Sequence, residues 1–253
     1  MYKPIKSLGQ NFLNNSQIVD KMVRALDIKE SDVIIEIGPG HGILTQSLVD
    51  RVMATNSELF AVEIDERFYK KLESMYVYEE SIHMHHGDIL NWLPEYKPPE
   101  HYKIIGSLPY YITSPILHTV IRKVPRADMC VFLIQKEVAE RINETAPKAT
   151  YLSSYVQTFY NVAYLGQVKK NVFHPKPKVD GAIIKFEKKE IDFPEEEILR
   201  YEGFLHKGFA NPRKMLNKAF NDDELFASNI DPRLRPQNLS PQQWLNFYKV
   251  LHK

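Results

Sequence analysis

Three strand-like runs in this 253-residue chain end on residues able to hold a nucleoside. The first, Val33-Ile34-Ile35-Glu36-Ile37, runs straight into Gly38-Pro39-Gly40-His41-Gly42. Glycines there let the backbone turn sharply and approach a ligand that a Cβ would exclude. Glu63 closes the second run, Leu59 to Ile64, where a carboxylate can accept from both hydroxyls of a ribose. Gly87-Asp88-Ile89 ends the third, with an acceptor for an adenine amino group and an apolar wall for the ring. Gly and Asp are also ordinary turn residues. Their coincidence with Glu63 at three successive strand ends is what describes a pocket. The spacing is G-x-G-x-G rather than G-x-G-x-x-G, and the loop has no basic residue for a pyrophosphate. The ligand that suits it is S-adenosylmethionine rather than a nicotinamide dinucleotide.

A fourth run, Lys103-Ile104-Ile105-Gly106, leads into Ser107-Leu108-Pro109-Tyr110-Tyr111. The lone pair of an exocyclic base amine is delocalised into its ring, so methylation needs that nitrogen made pyramidal. Ser107 Oγ and the Leu108 carbonyl can accept its two N–H hydrogens, with Pro109 holding the turn. Tyr110 can stack on a base that has left its helix or loop. No side-chain nucleophile is then required, because a sulfonium donor is already activated and alignment supplies the rest. Read without the pocket, the same residues are a β-to-α turn ahead of Thr113-Ser114-Pro115.

These residues need a frame. Apolar residues make up 43% of the chain, enough for a packed core. From Asp32 to about Gln135, short apolar runs alternate with helical patterns, which predicts a parallel sheet covered on both faces. Asn161 to Val172 and Ala182 to Glu187 read as two strands around His174-Pro175-Lys176-Pro177-Lys178, a hairpin at the sheet edge. Acidic Glu190 to Glu197 reads as a linker; Ile198–Phe220, Asp222–Ser228 and Ser240–His252 read as helices beyond it. The expected domains are 1–189, catalytic, and 190–253, a small helical domain. Met1 to Lys6 lacks the apolar stretch of a signal peptide. No window approaches a membrane span, so a soluble cytoplasmic protein is expected. The lone Cys130 excludes a disulfide framework and a cysteine-rich zinc module.

Taken together, the chain resembles the KsgA-type small-subunit ribosomal RNA adenine dimethyltransferases almost end to end. Leu8-Gly9-Gln10-Asn11-Phe12-Leu13, the Glu36–Gly42 loop, Val62-Glu63-Ile64-Asp65, Gly87-Asp88 and Leu108-Pro109-Tyr110 carry the likeness. So do Gln135–Arg141, Phe173–Asp180 and Phe209–Phe220. The resemblance implies a Rossmann-like class I methyltransferase sheet with a small all-α C-terminal domain. It implies S-adenosylmethionine as donor, S-adenosylhomocysteine as product, and N6,N6-dimethylation of two adjacent adenosines in a terminal hairpin loop of 16S-type RNA, late in subunit assembly. By matched position, Asn11, Leu13, Gly38, Gly40, Glu63, Asp88 and Ser107 would contact the donor, and Phe173 would stack on the target base opposite Tyr110. The chain departs from the family's Asn-Leu-Pro-Tyr-Asn at both ends, with Ser107 and Tyr111.

A near-neutral balance of 33 basic and 32 acidic residues hides local clustering. Lys169, Lys170, Lys176, Lys178, Lys185, Lys188 and Lys189 crowd the expected hairpin, and Arg213, Lys214 and Lys218 fall on helical spacing. Such clusters can neutralise RNA phosphates, although a lysine taken singly is usually a solvated surface residue. Lys176, Lys178, Arg213, Lys214 and Lys218 are the expected RNA contacts, on an immature small-subunit particle. On a strand His83 and His85 share one face while His86 points opposite, and no carboxylate or cysteine spacing completes a site, so no metal is expected. Nothing in the sequence demands more than a monomer. Two rivals remain: an Erm-type enzyme acting on large-subunit RNA, and an assembly factor weakened in catalysis through Ser107 and Tyr111.

Overall fold

The computed structural model describes residues 3–5, 8–123 and 125–252. Met1, Tyr2 and Lys6, part of the stretch read above for a leader, lie outside the described residues. In chain order the strands are β1 (Phe12–Leu13), β2 (Val33–Ile37), β3 (Glu58–Glu63), β4 (Ile82–His86), β5 (Lys103–Ser107), β6 (Met129–Gln135), β7 (Tyr160–Val168), β8 (Phe173–His174) and β9 (Gly181–Lys188). The helices are α1 (Ser16–Leu26), α2 (Ile43–Ala54), α3 (Glu66–Tyr76), α4 (Ile89–Glu95), α5 (Thr113–Arg122), α6 (Lys136–Asn143), α7 (Tyr151–Phe159), α8 (Ile198–Phe209), α9 (Asp222–Ala227) and α10 (Pro241–Leu251). Among the described residues, no helix is long and apolar enough to cross a membrane.

The central strands are continuous apolar runs because both faces are covered. Ile34, Ile35, Ile104, Ile105 and the β6 residues Cys130 to Ile134 are all essentially inaccessible. Among the described residues the main sheet runs β4-β3-β2-β5-β6-β9-β7. The strands from β4 to β6 are parallel, and β9 lies antiparallel to β6 from Met129↔Glu187 to Gln135↔Gly181. The α/β sheet with an antiparallel edge is thus the one the sequence predicts. The chain leaves β2 toward β3 and β4, then returns to β5 on the other side of β2. That reversal opens a crevice at the carboxyl ends of β2 and β5, where ligands bind in open α/β sheets.

Two compact units divide the chain: residues 1–139 with 163–188, and residues 140–162 with 189–253. Residues 140–162 therefore group with the C-terminal helices, where the sequence places a single boundary at 189/190. The reason is aromatic packing inside the second unit. Tyr155 and Phe159 of α7 are fully buried, and the Phe159 ring meets Tyr201 of α8 at 6.1 Å and Phe193 at 5.7 Å. The hydroxyls of Thr158 and Tyr201 lie 2.8 Å apart, and Tyr155 OH donates to Glu202 at 3.2 Å. Helical spacing through Phe220 is also interrupted: α8 stops at Phe209. Pro212 has no N–H to continue the helix and disfavours helical geometry at Asn211. Arg213 and Lys214 consequently sit on an irregular turn, and Lys218 on a 3-10 turn, Leu216–Lys218.

Ser240 caps α10 as its sequence suggests, its hydroxyl accepting from Gln243 N at 3.2 Å with Pro241 at the first helical position. The second unit closes tightly on Trp244. A Cβ added at Gly208 would lie 2.4 Å from the Trp244 ring, and that ring is fully buried. Gly208→Ala is expected to lower unfolding free energy by about 2 kcal/mol, the usual cost of overpacking, measured by urea denaturation.

Candidate active site

Sequence dictates the local turns first. The loop after β2 needs three residues with positive φ, and Gly38 (+67°), Gly40 (+55°) and Gly42 (+90°) occupy those positions. Beside Gly38 an added Cβ would meet nothing within 4 Å, so open space lies against the backbone there. Glu63, at the end of β3, is 4% exposed, with one oxygen accepting from Gly40 N and the other from Asp65 N, each at 2.8 Å. One side chain thereby ties the glycine loop to the start of α3. Burial pushes its carboxyl above the ordinary range, while the backbone N–H donors pull the other way. A carboxylate has about four lone-pair positions, so roughly two remain for a ligand.

Two further acids double as helix caps. Asp65 accepts from Arg67 N at 3.1 Å and from Arg67 Nη2 at 2.6 Å, and Gln10 Nε2 donates to it at 2.8 Å. The Arg67 hydrogen bond is the main reason its carboxyl is held down at about 2. Asp88 caps α4 by accepting from Leu90 N at 2.9 Å.

The N-terminal residues 8–13 lie along the same cleft. β1 pairs antiparallel with β8, placing Leu13 opposite Phe173, and Phe12 packs edge-on against His41 at 4.3 Å and Phe68 at 5.1 Å. Beyond β5, Leu108 N donates to Leu133 O at 2.9 Å, and Pro109 O accepts from Ile112 N at 3.2 Å. Among the described residues nothing donates to the Leu108 carbonyl or bonds the Ser107 hydroxyl. The buried Tyr110 hydroxyl also has no hydrogen-bond partner, and burial pushes its phenol up to about 12. The Ser107 hydroxyl and the Leu108 carbonyl are thus left unengaged in residues that line the cleft, while the Tyr110 hydroxyl is closed off from solvent.

All the residues proposed for donor binding and chemistry meet here. Asn11, Leu13, Gly38, Gly40, Glu63, Asp88, Ser107, Leu108, Pro109, Tyr110 and Phe173 line one cleft with about 190 Å³ of space. The model of the ribosomal RNA adenine dimethylase family matches residues 2–253. The chain belongs to the ribosomal RNA adenine dimethylase family. A ribosomal RNA small subunit methyltransferase A from Sulfurihydrogenibium sp. (strain YO3AOP1) is 32% identical, covering 98% of this chain and 96% of that protein. The protein of the same name from Hydrogenobaculum sp. (strain Y04AAS1) is 38% identical over 88% of this chain and 85% of its own length. Among solved structures, a dimethyladenosine transferase from Plasmodium falciparum superposes with a TM-score of 0.77 at 23% identity, covering 95% of this chain and 97% of that one. The 23S rRNA methyltransferase ErmE superposes with a TM-score of 0.74 at 22% identity, covering 96% and 100%. At those identities the likeness shows the shared class I methyltransferase fold.

The ribosomal RNA adenine dimethylase family pattern made most of this cleft legible, yet some of its lining escaped it. Gln10, Phe12, His41 and Tyr111 line the cleft and carry no role in the sequence reading. The run Gly9-Gln10-Asn11-Phe12 was the available signal, but its partners lie far along the chain. The basic cluster also changes character. Lys185 pairs with Glu187 at 2.6 Å, Lys188 with Asp128 at 2.6 Å, and Lys169 with Asp180 at 3.5 Å. Lys170 Nζ donates to Lys178 O, and Lys189, in the second unit, donates to Gln157 O. Lys176 and Lys178 stay exposed outside the cleft lining, and Arg213, Lys214 and Lys218 are exposed in the second unit. The histidines of β4 serve as aromatic packing: His83 stacks on Phe60 at 4.5 Å, and His86 on Tyr69 at 5.2 Å from the opposite face. Cys130 is buried.

Proposed function

We propose that the chain transfers methyl groups from S-adenosylmethionine to the exocyclic amines of two adjacent adenosines in a terminal hairpin loop of small-subunit ribosomal RNA. It would act in the cytoplasm on an immature particle, as a monomer. One observation carries this: Glu63, at the end of β3, and Ser107 to Tyr110, after β5, line the same cleft. Full-length relatives named for the small subunit support that substrate, whereas the large-subunit alternative has only a shared fold behind it.

The donor supplies an activated methyl group; the protein supplies alignment. Glu63 would hold the ribose hydroxyls, with Gly38 and Gly40 giving the backbone close approach and Asp88 accepting from the adenine amine. Asn11 and Leu13 would close the same site from the N-terminal side. At the other end, Ser107 Oγ and the Leu108 carbonyl would accept the two N–H hydrogens of the target amine and favour its pyramidal form. Tyr110 and Phe173 would hold the extruded base by stacking, for which unpairing costs least in a loop. The exposed Lys176, Lys178, Arg213, Lys214 and Lys218 would meet RNA phosphates without reading sequence.

The test is methyl labelling of small-subunit particles from a strain lacking the gene, followed by primer extension. Two adjacent stops in the terminal loop are expected, and no label in that loop would refute the assignment. Label in free large-subunit RNA instead would favour the Erm-type alternative. Ser107→Ala removes one of two acceptors and is expected to slow the initial rate about 100-fold. Ser107→Asn, with longer reach, is expected to raise it. A Ser107→Ala rate equal to wild type would remove Ser107 from the chemistry, whereas no label from wild type with label restored by Ser107→Asn would support the weakened assembly factor.

A further inference from the structure

The N-terminal strand crosses the cleft as a strap, and its contacts are unevenly distributed. One end is anchored by Gln10 on Asp65 and by Arg67 Nη1 donating to Lys3 O at 3.1 Å. The other end is anchored by the β1–β8 pairing at Phe12 and Leu13. Next to Gln10, Gly9 has φ +57° and lies against the ring of Tyr111 from the turn after β5. A Cβ built on Gly9 would stand 2.7 Å from Tyr111 Cδ1 and 3.0 Å from its Cε1. The ring therefore rests directly on the glycine backbone. Tyr111 is 54% exposed, which means the contact sits at the mouth of the cleft rather than in its floor. Partial burial raises its phenol, and the charge of Asp88 pushes the same way. The Tyr111 ring covers the strap at Gly9.

We propose that Tyr111 is a positioning residue: its ring latches the strap of residues 8–13 over the donor and slows the donor product's departure. The proposal rests on the donor-site reading above. An asparagine at this position would have no ring to lay against Gly9. Contact is made by ring carbons, so phenylalanine should serve as well as tyrosine. A side chain at Gly9 would break the same contact from the other side, because it needs both the ring's space and a strained φ.

The experiment combines calorimetry with S-adenosylhomocysteine and hydrogen exchange of the full-length protein without ligand. Tyr111→Ala is expected to raise Kd about tenfold, roughly 1.4 kcal/mol, through faster dissociation. It is also expected to speed exchange at residues 8–13 while the β5 and β6 amides stay protected. Tyr111→Phe is expected to restore both. Unchanged exchange in Tyr111→Ala would overturn the latch, whatever the ligand. Unchanged affinity, with wild type binding normally, would overturn it as well and leave the donor site standing. A wild-type protein with no affinity for S-adenosylhomocysteine would instead refute the donor reading. Tyr111→Phe behaving like Tyr111→Ala would also refute the latch, because the hydroxyl rather than the ring would then be holding the strap.

Discussion

Glu63→Gln is expected to weaken S-adenosylhomocysteine binding by roughly 1000-fold and to destabilise the ligand-free protein as well. The ligand effect follows from charge. Two hydrogen bonds from ribose hydroxyls to a carboxylate are worth about 1.5–3 kcal/mol each, against about 1.4 kcal/mol per tenfold in affinity. The second effect comes from the protein's own backbone. Both Glu63 oxygens already accept N–H groups, from Gly40 and Asp65. A glutamine can offer only one oxygen; its NH₂ must face the other N–H, donor against donor. One buried donor is then left unsatisfied, at about 1–3 kcal/mol, partly relieved by water from the open cleft. Calorimetry gives the first number and urea unfolding the second. An unchanged Kd would remove Glu63 from the donor site. Unchanged stability would mean that the loop and the α3 cap do not depend on it.

Stability itself should fall as pH rises, because of Glu36. This side chain is fully buried in β2, and neither oxygen has a hydrogen-bond partner. Burial pushes its carboxyl up to about 8, the charge on Glu63 pushes the same way, and the Thr45 hydroxyl opposes without reaching bonding geometry. Its folded pKa lies above the ordinary carboxylate value, so folding favours the protonated acid. That stabilisation is complete below about 4.5 and is lost as pH climbs through about 8. At about 1.36 kcal/mol per pKa unit, the loss is on the order of 5 kcal/mol. Asp65 acts in the opposite sense and outside this window. Held at about 2, its contribution is present above the ordinary value of 3.8 and is lost as pH falls through about 2. Urea unfolding between pH 5 and pH 9 should show the decline, and Glu36→Gln, neutral throughout, should flatten it. Parallel profiles for the two proteins would assign the pH dependence to other groups.

The sequence by itself determined the strand ends and their chemistry. Val33–Gly38, Leu59–Glu63 and Lys103–Ser107 are local patterns: apolar runs long enough to be buried strands, each ending on a glycine or a polar residue. Because parallel strands align their carboxyl ends, locating those stops was enough to bring Gly38, Glu63, Asp88 and Ser107 to one edge. The cap at Ser240 belongs to the same local grammar, written within three residues of the helix start.

What depended on distant partners was decided only in three dimensions. β1 and β8 are two residues each, too short for any periodicity, and pair across some 160 positions of intervening chain. Nothing local marks Phe12 for Phe68, Gln10 for Asp65, or Gly9 for Tyr111. The lysines show the same limit: a run of like charges in sequence becomes a set of ion pairs once Asp128, Asp180 and Glu187 arrive beside it. The break at Pro212 is local, since a proline cannot continue a helix, although the charge spacing of Arg213, Lys214 and Lys218 is helical across the segment that follows it. Residues 140–162 join the second unit because the rings of α7 find their partners on α8. Local sequence sets conformation and chemistry; burial and pairing, which need residues far apart in the chain, set which of those groups remain free to act.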